Sequence, residues 1–116
     1  MGFPCVYVLY SENLNMVKIG NASNNVEKRV RTLKKLGYGG TKDWKLMKAI
    51  DIDYNKPYKA EKESHRLLKE IGYHKVIMYI PTGSPTNKLQ PALELFSCTV
   101  EQAIRTVTAM ANKTNL

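Results

Sequence analysis

The chain has 116 residues, enough for one domain around one modest hydrophobic core. Eighteen Lys and Arg stand against ten Asp and Glu, a formal net charge of +8, which draws a domain of this size to polyanions, nucleic acid first and an anionic membrane surface second. The chain has no long apolar run for a transmembrane helix, no basic or apolar leader in Met1-Gly2-Phe3-Pro4, and in Cys5 and Cys98 too few cysteines for a disulfide framework or a zinc site.

Both cysteines sit in apolar surroundings and read as small, buried, reduced thiols, which points to the cytoplasm. The Val, Ile and Tyr content predicts two short strands, residues 5–10 and 16–19, joined by the polar turn Ser11-Glu12-Asn13-Leu14-Asn15. Asn21-Ala22-Ser23-Asn24-Asn25 then offers several N-cap residues. The helix behind it runs to about Leu36, where Gly37 stops it. Val26, Val30 and Leu33 form its inner stripe. Arg29 flanks that stripe and can reach inward along the sheet edge, while Lys28, Arg31, Lys34 and Lys35 look outward. Tyr7, Lys18 and Arg29 thus bring a phenol, an amine and a guanidinium to one region. That is either an anion site or a plain hairpin with a core tyrosine and surface bases.

Gly37-Tyr38-Gly39-Gly40-Thr41 is a glycine-rich linker without the lysine-serine ending of a phosphate loop. Trp44 to Ile50 form a third strand with lysines on one face and Trp44 as a core anchor. Asp51 and Asp53 lie in a turn that lacks the further oxygen ligands of a calcium loop. A second helix follows from about Tyr58 to Ile71, ended by Gly72, with Ala60, Ser64, Leu67 and Ile71 inward. Glu61, His65 and Leu68 share the adjacent face, so the acid and the imidazole project together beside the core. His74 to Ile80 read as a further strand ended by Pro81. Residues 81–92 read as a surface loop, and Glu94-Leu95-Phe96 as a short apolar segment. Thr99 and Gln102 have the spacing of a capping box. They open a closing helix with Val100, Ala103, Ile104, Val107 and Met110 inward, after which the tail from Asn112 frays.

In this order and spacing the pieces resemble the GIY-YIG nuclease superfamily. Cys5-Val6-Tyr7 aligns with its first motif, Lys18-Ile19-Gly20 with its second, and Arg29 in Glu27-Lys28-Arg29 with its helix arginine. The Lys-Ile-Gly form is similar to a branch of small, often phage-associated members, as are Ala60-Glu61-Lys62-Glu63-Ser64-His65 and Glu94-Leu95-Phe96. The resemblance runs from about Cys5 to Ala103. It implies one α/β domain of the α+β type with its core at about residues 5–111. Its centre would be a small, three-stranded, mostly antiparallel sheet flanked by helices.

It also implies a metal-dependent endonuclease that hydrolyses phosphodiester bonds in DNA. Glu61 would hold a single Mg2+ or Mn2+ ion; Glu63, two residues on, points off the shared face. Arg29 would clamp the scissile phosphate. Tyr7 would orient or deprotonate the attacking water, its phenol lowered from about 10 by Lys18 or Arg29. His65 would accept or relay a proton, or else serve as a hydrogen-bonded helix residue. Cys5 stands where the first motif of the wider family begins with glycine, which affects packing more than chemistry, and Lys18 replaces a tyrosine. The late asparagine has no clear counterpart, Glu94 being the nearest match. The alternative is therefore a non-cleaving nucleic-acid-binding module or regulator on the same fold. A third option is an accessory factor whose basic face meets an acidic protein. A homodimer is left open.

Overall fold

Alternating apolar residues carry Cys5–Ser11 (β1) and Met16–Ala22 (β2) into an antiparallel hairpin. Its register runs from Cys5 opposite Ala22 to Ser11 opposite Met16. The computed structural model describes residues 4–52, 57–70, 75–81 and 89–114, with the backbone alone at Gly39, residues 75–81, residues 89–94 and Thr114. β2 is longer than the expected 16–19. Gly20, Asn21 and Ala22 pair with Tyr7, Val6 and Cys5, so the partner strand overrides the turn character of asparagine. Lys45–Asp51 (β3) pairs antiparallel with β1, with a register shift between Val8 and Leu9.

Among the described residues the sheet has five strands where the resemblance implied three. Lys75–Pro81 (β4) and Leu89–Phe96 (β5) extend it in the order β3-β1-β2-β5-β4, and every pairing is antiparallel. β4 is the strand expected at 74–80 and ended by Pro81, whereas residues 89–92, expected in a loop, begin β5, with Leu89 opposite Pro81. Pro91 pairs with Tyr79 and lies beyond the short stretch, Leu95 and Phe96, where β5 meets β2. Asp53, Gly72, residues 82–88, Met1 to Phe3 and the last two residues lie outside the described residues.

Among the described residues three α-helices pack on the sheet. Val26–Leu36 (α1) starts at Asn25, whose side chain accepts from the Lys28 N–H at 3.0 Å, and ends at Gly37. Gly37 takes φ +69° and donates its N–H to the last-turn carbonyls of Leu33 and Lys34. The second is Pro57–Glu70 (α2). The third, Val100–Thr114 (α3), opens on the reciprocal Thr99–Gln102 capping box, both bonds 3.1 Å. It continues through Asn112 and Lys113, which were expected to fray.

Alternation along β1 splits the core in two. Tyr7 and Leu9 pack with Leu33 and Val30 of α1, Trp44 and Leu95. Val6 and Val8 pack with Ala60 and Leu68 of α2 and Ala103 and Val107 of α3. Trp44 anchors the first core as expected, its indole N–H donating to the Tyr38 carbonyl at 2.8 Å. Lys45 and Lys48 pair with Tyr10 and Val8, residues of one face of β1, because the register shift absorbs their odd spacing, and residues 45–49 are all exposed at the sheet's edge. Cys5 and Cys98 are buried free thiols, pushed up to about 11 chiefly by burial, which keeps them protonated and inert. Among the described residues no helix is long and apolar enough to cross a membrane.

The β1–β2 turn is tied to the approach to β3 through Asp43. Its carboxylate accepts from the hydroxyls of Ser11 at 2.6 Å and Thr41 at 2.7 Å, and from the Asn13 N–H at 2.9 Å. These bonds, Ser11 first, hold its carboxyl down at about 2. A folded value below the unfolded value of about 3.9 stabilises the fold above that pH and ceases to as pH falls towards 2. The urea midpoint should therefore drop between about pH 4 and pH 2. Asp43→Asn should lower it at neutral pH and flatten that step. An unchanged step in the variant would show that Asp43 does not carry it.

Candidate functional site

Glu61 and His65 stand one turn apart on α2 and both reach β2. The Asn21 side-chain amide donates to Glu61 Oε1 at 2.9 Å. His65 Nε2 lies 2.8 Å from the Ile19 carbonyl. A carbonyl only accepts, so Nε2 carries the proton and donates. The spacing explains why both bonds form at once. Four residues of helix rise about 6.0 Å and two residues of strand about 6.6 Å, so a helix running antiparallel to β2 meets it at Ile19 and again at Asn21. The Phe96 ring lies against the imidazole, centroids 5.2 Å apart.

This rotates α2 from its expected setting. Glu61 and His65 are only 6% and 9% exposed and belong to the buried stripe, with Ala60, Ser64 and Leu68. Leu67, expected inside, is half-buried. Hydrophobicity placed the acid beside the core, but its polar partners on β2 draw it in. Glu63 points away and pairs with Arg66 at 2.9 Å.

Tyr7 and Lys18 share a face, as expected of two strands in this register, but it is the α1 face. Tyr7 pairs with Gly20 and is fully buried, its hydroxyl against the glycine: a Cβ there would lie 2.5 Å from Oη. Lys18 is 4% exposed with its ammonium 4.8 Å from the Tyr38 ring centroid. Glu61 and His65 approach from the α2 face. Four of the five candidates therefore form two pairs on opposite faces of β2, and Arg29 is placed separately. Arg29 is exposed instead of reaching inward. It lines a cleft of about 410 Å³ with Asn21, Ser23, Asn24, Lys28 and Thr32.

Asn21 links the parts. It lines the cleft beside Arg29 and holds the carboxylate behind it. The sequence reading took it for a possible helix cap, a task that Asn25 performs. The alternation Val17, Ile19, Asn21 carried through the Lys-Ile-Gly motif was the available signal, since it sets Asn21 on the α2 face.

Residues 4–111 match the T5orf172 domain. The chain belongs to that family. T5orf172 is a phage-associated domain, and the match spans every strand and helix described here except the last residues of α3. Neither the curated proteins nor the solved structures contain a match to the chain.

The donor set limits which ion the site suits. Among the described residues no three His, Cys, Asp or Glu side chains gather into a ligand cluster. A zinc-type site needs such a cluster. Magnesium and manganese do not, because one carboxylate, waters and substrate phosphate complete the usual Mg2+ shell. Glu61, next to a cleft edged by Arg29 and Lys28, fits that second kind.

Proposed function

We propose that this T5orf172 domain is a metal-dependent endonuclease of the GIY-YIG kind, hydrolysing phosphodiester bonds in DNA beside Asn21, the cleft residue that contacts Glu61. The observation that carries the reading is the Arg29-lined cleft whose wall residue Asn21 hydrogen-bonds a buried carboxylate. The link between this family and endonuclease-like proteins of the GIY-YIG and HNH kinds supports it, as does the +8 charge.

Glu61 would hold Mg2+ or Mn2+, which when bound neutralises phosphate charge and acidifies a water. The protein's own groups do the rest. Arg29 grips phosphate oxygens with its planar fork, and Lys28 adds charge at the same rim. Asn21 holds the Glu61 carboxylate in place by donating to Oε1. His65, its Nε2 proton spent on Ile19, anchors α2 to β2. Tyr7 and Lys18 support the glycine segment of β2 from the α1 face.

Lys18 also favours a second reading. It replaces the second-motif tyrosine and its ammonium is buried over Tyr38, so a hydroxyl used by the wider family is missing. That suits a module that binds nucleic acid without cutting. Supercoiled plasmid incubated with the protein in Mg2+, in Mn2+ and in chelator separates the two. Nicking in either metal and none in chelator is the expected result. A mobility shift without nicking in any condition would establish the binding module.

A further inference from the structure

The eleven residues of α1 include Lys28, Arg29, Arg31, Lys34 and Lys35 against one acid, Glu27. All five cations are exposed. Val30 and Leu33 turn inward, so Lys28, Arg31 and Lys35, at i, i+3 and i+7, line the opposite, outer face.

Two features set this helix apart. Exposed arginines elsewhere are neutralised on their own helices: Arg66 by Glu63 and Glu70, and Arg105 by Glu101, at 2.7 to 2.9 Å. Among the described residues none of the five α1 cations is in an ion pair. Lys34 and Lys35 suit the negative end of the helix dipole, but Lys28 and Arg29 stand in the first turn, where the dipole is positive and a cation is unfavourable. Helix stability does not account for them; an external anion does. Lys28 belongs both to the cleft and to the outer stripe, so the cleft's charge continues along the helix.

We propose that the outer face of α1 is a track for the phosphate backbone of duplex DNA, leading away from the cleft through Lys28, Arg31 and Lys35. The helix is about 16 Å long, the axial rise of about five phosphates on one strand. A flexible acidic peptide would not supply charge at such regular spacing. The inference rests on the nucleic-acid reading of the cleft, but the track needs no cleavage.

The test is the salt dependence of binding to a fluorescein-labelled DNA duplex in chelator, with Arg31→Gln/Lys35→Gln beside wild type. Both residues lie outside the cleft. The double variant should bind more weakly, and its plot of log K against log salt should be shallower by about 1.8, two phosphate contacts at about 0.9 each. Arg31→Lys/Lys35→Arg should restore the slope, and Arg66→Gln/Arg105→Gln should leave it alone. An unchanged slope in the double variant, or an equal loss in the Arg66/Arg105 control, overturns the track, as does wild type that fails to bind duplex. A reduced slope in a protein that never nicks plasmid confirms the track and refutes the nuclease. An unchanged slope in a protein that nicks does the reverse.

Discussion

Gly20→Ala should unfold at a markedly lower urea concentration than wild type, a loss of about 1–3 kcal/mol or more. Backbone conformation is not the reason; space is. An added methyl carbon would sit 2.5 Å from Tyr7 Oη, 2.6 Å from Cζ and 3.0 Å from Cε1. Tyr7 is fully buried between β2 and α1, so its ring cannot swing away without disturbing Leu9, Leu33 and Trp44. Tyr7→Phe should relieve little, because Cζ stays in place. Tyr7→Ala alone should cost about 3–5 kcal/mol for the cavity. On that background Gly20→Ala should cost far less than in wild type, and the double-mutant cycle reads that coupling. A midpoint that Gly20→Ala leaves unmoved would mean that the tyrosine does not pack on the glycine. The strand segment at stake carries Asn21, so this clash would reach the candidate site as well.

Glu61→Gln should lower plasmid nicking by about a thousandfold or more. An ion that stabilises transition-state charge supplies several kcal/mol, and each 1.4 kcal/mol or so is tenfold in rate. Glutamine is the informative replacement. Its carbonyl oxygen can still accept from Asn21, so the buried pair stays satisfied and only the charge that holds a cation is lost. Glu61→Ala would also strand the Asn21 amide and lower stability by about 1–3 kcal/mol, which confuses loss of folding with loss of chemistry. DNA affinity should change little in the glutamine variant, because the phosphate-binding charges, Arg29 and Lys28, are untouched.

How legible each part was depended on where its decisive contacts lie. α1 and α3 could be read closely because their caps are local: Asn25 and Gly37 bracket one, and Thr99 with Gln102 opens the other. The shared face of Tyr7 and Lys18 followed from strand alternation alone. β4 was legible as an apolar run closed by Pro81, but most of β5 was hidden because Pro91 argues for a loop and its pairing with β2 joins distant segments. The end of β2 was hidden because β1 fixes it, while the local run of asparagines argues for a turn. The same error concealed Asn21 as the partner of Glu61. α2 was set at the wrong angle because hydrophobicity cannot foresee that an acid and an imidazole will be buried by bonds to β2. The proposal that Glu61 holds a metal comes from the resemblance; its hydrogen bond from Asn21 was not legible in the sequence.

The central claim is that Glu61 holds the ion for a cutting site. The most direct measurement is the initial rate of supercoiled plasmid nicking in Mg2+ and in Mn2+, for wild type and Glu61→Gln, at protein concentrations where both shift the plasmid equally. The account predicts metal-dependent nicking by wild type and none measurable from the variant. Nicking by Glu61→Gln within a few-fold of wild type, at equal DNA occupancy, would contradict it.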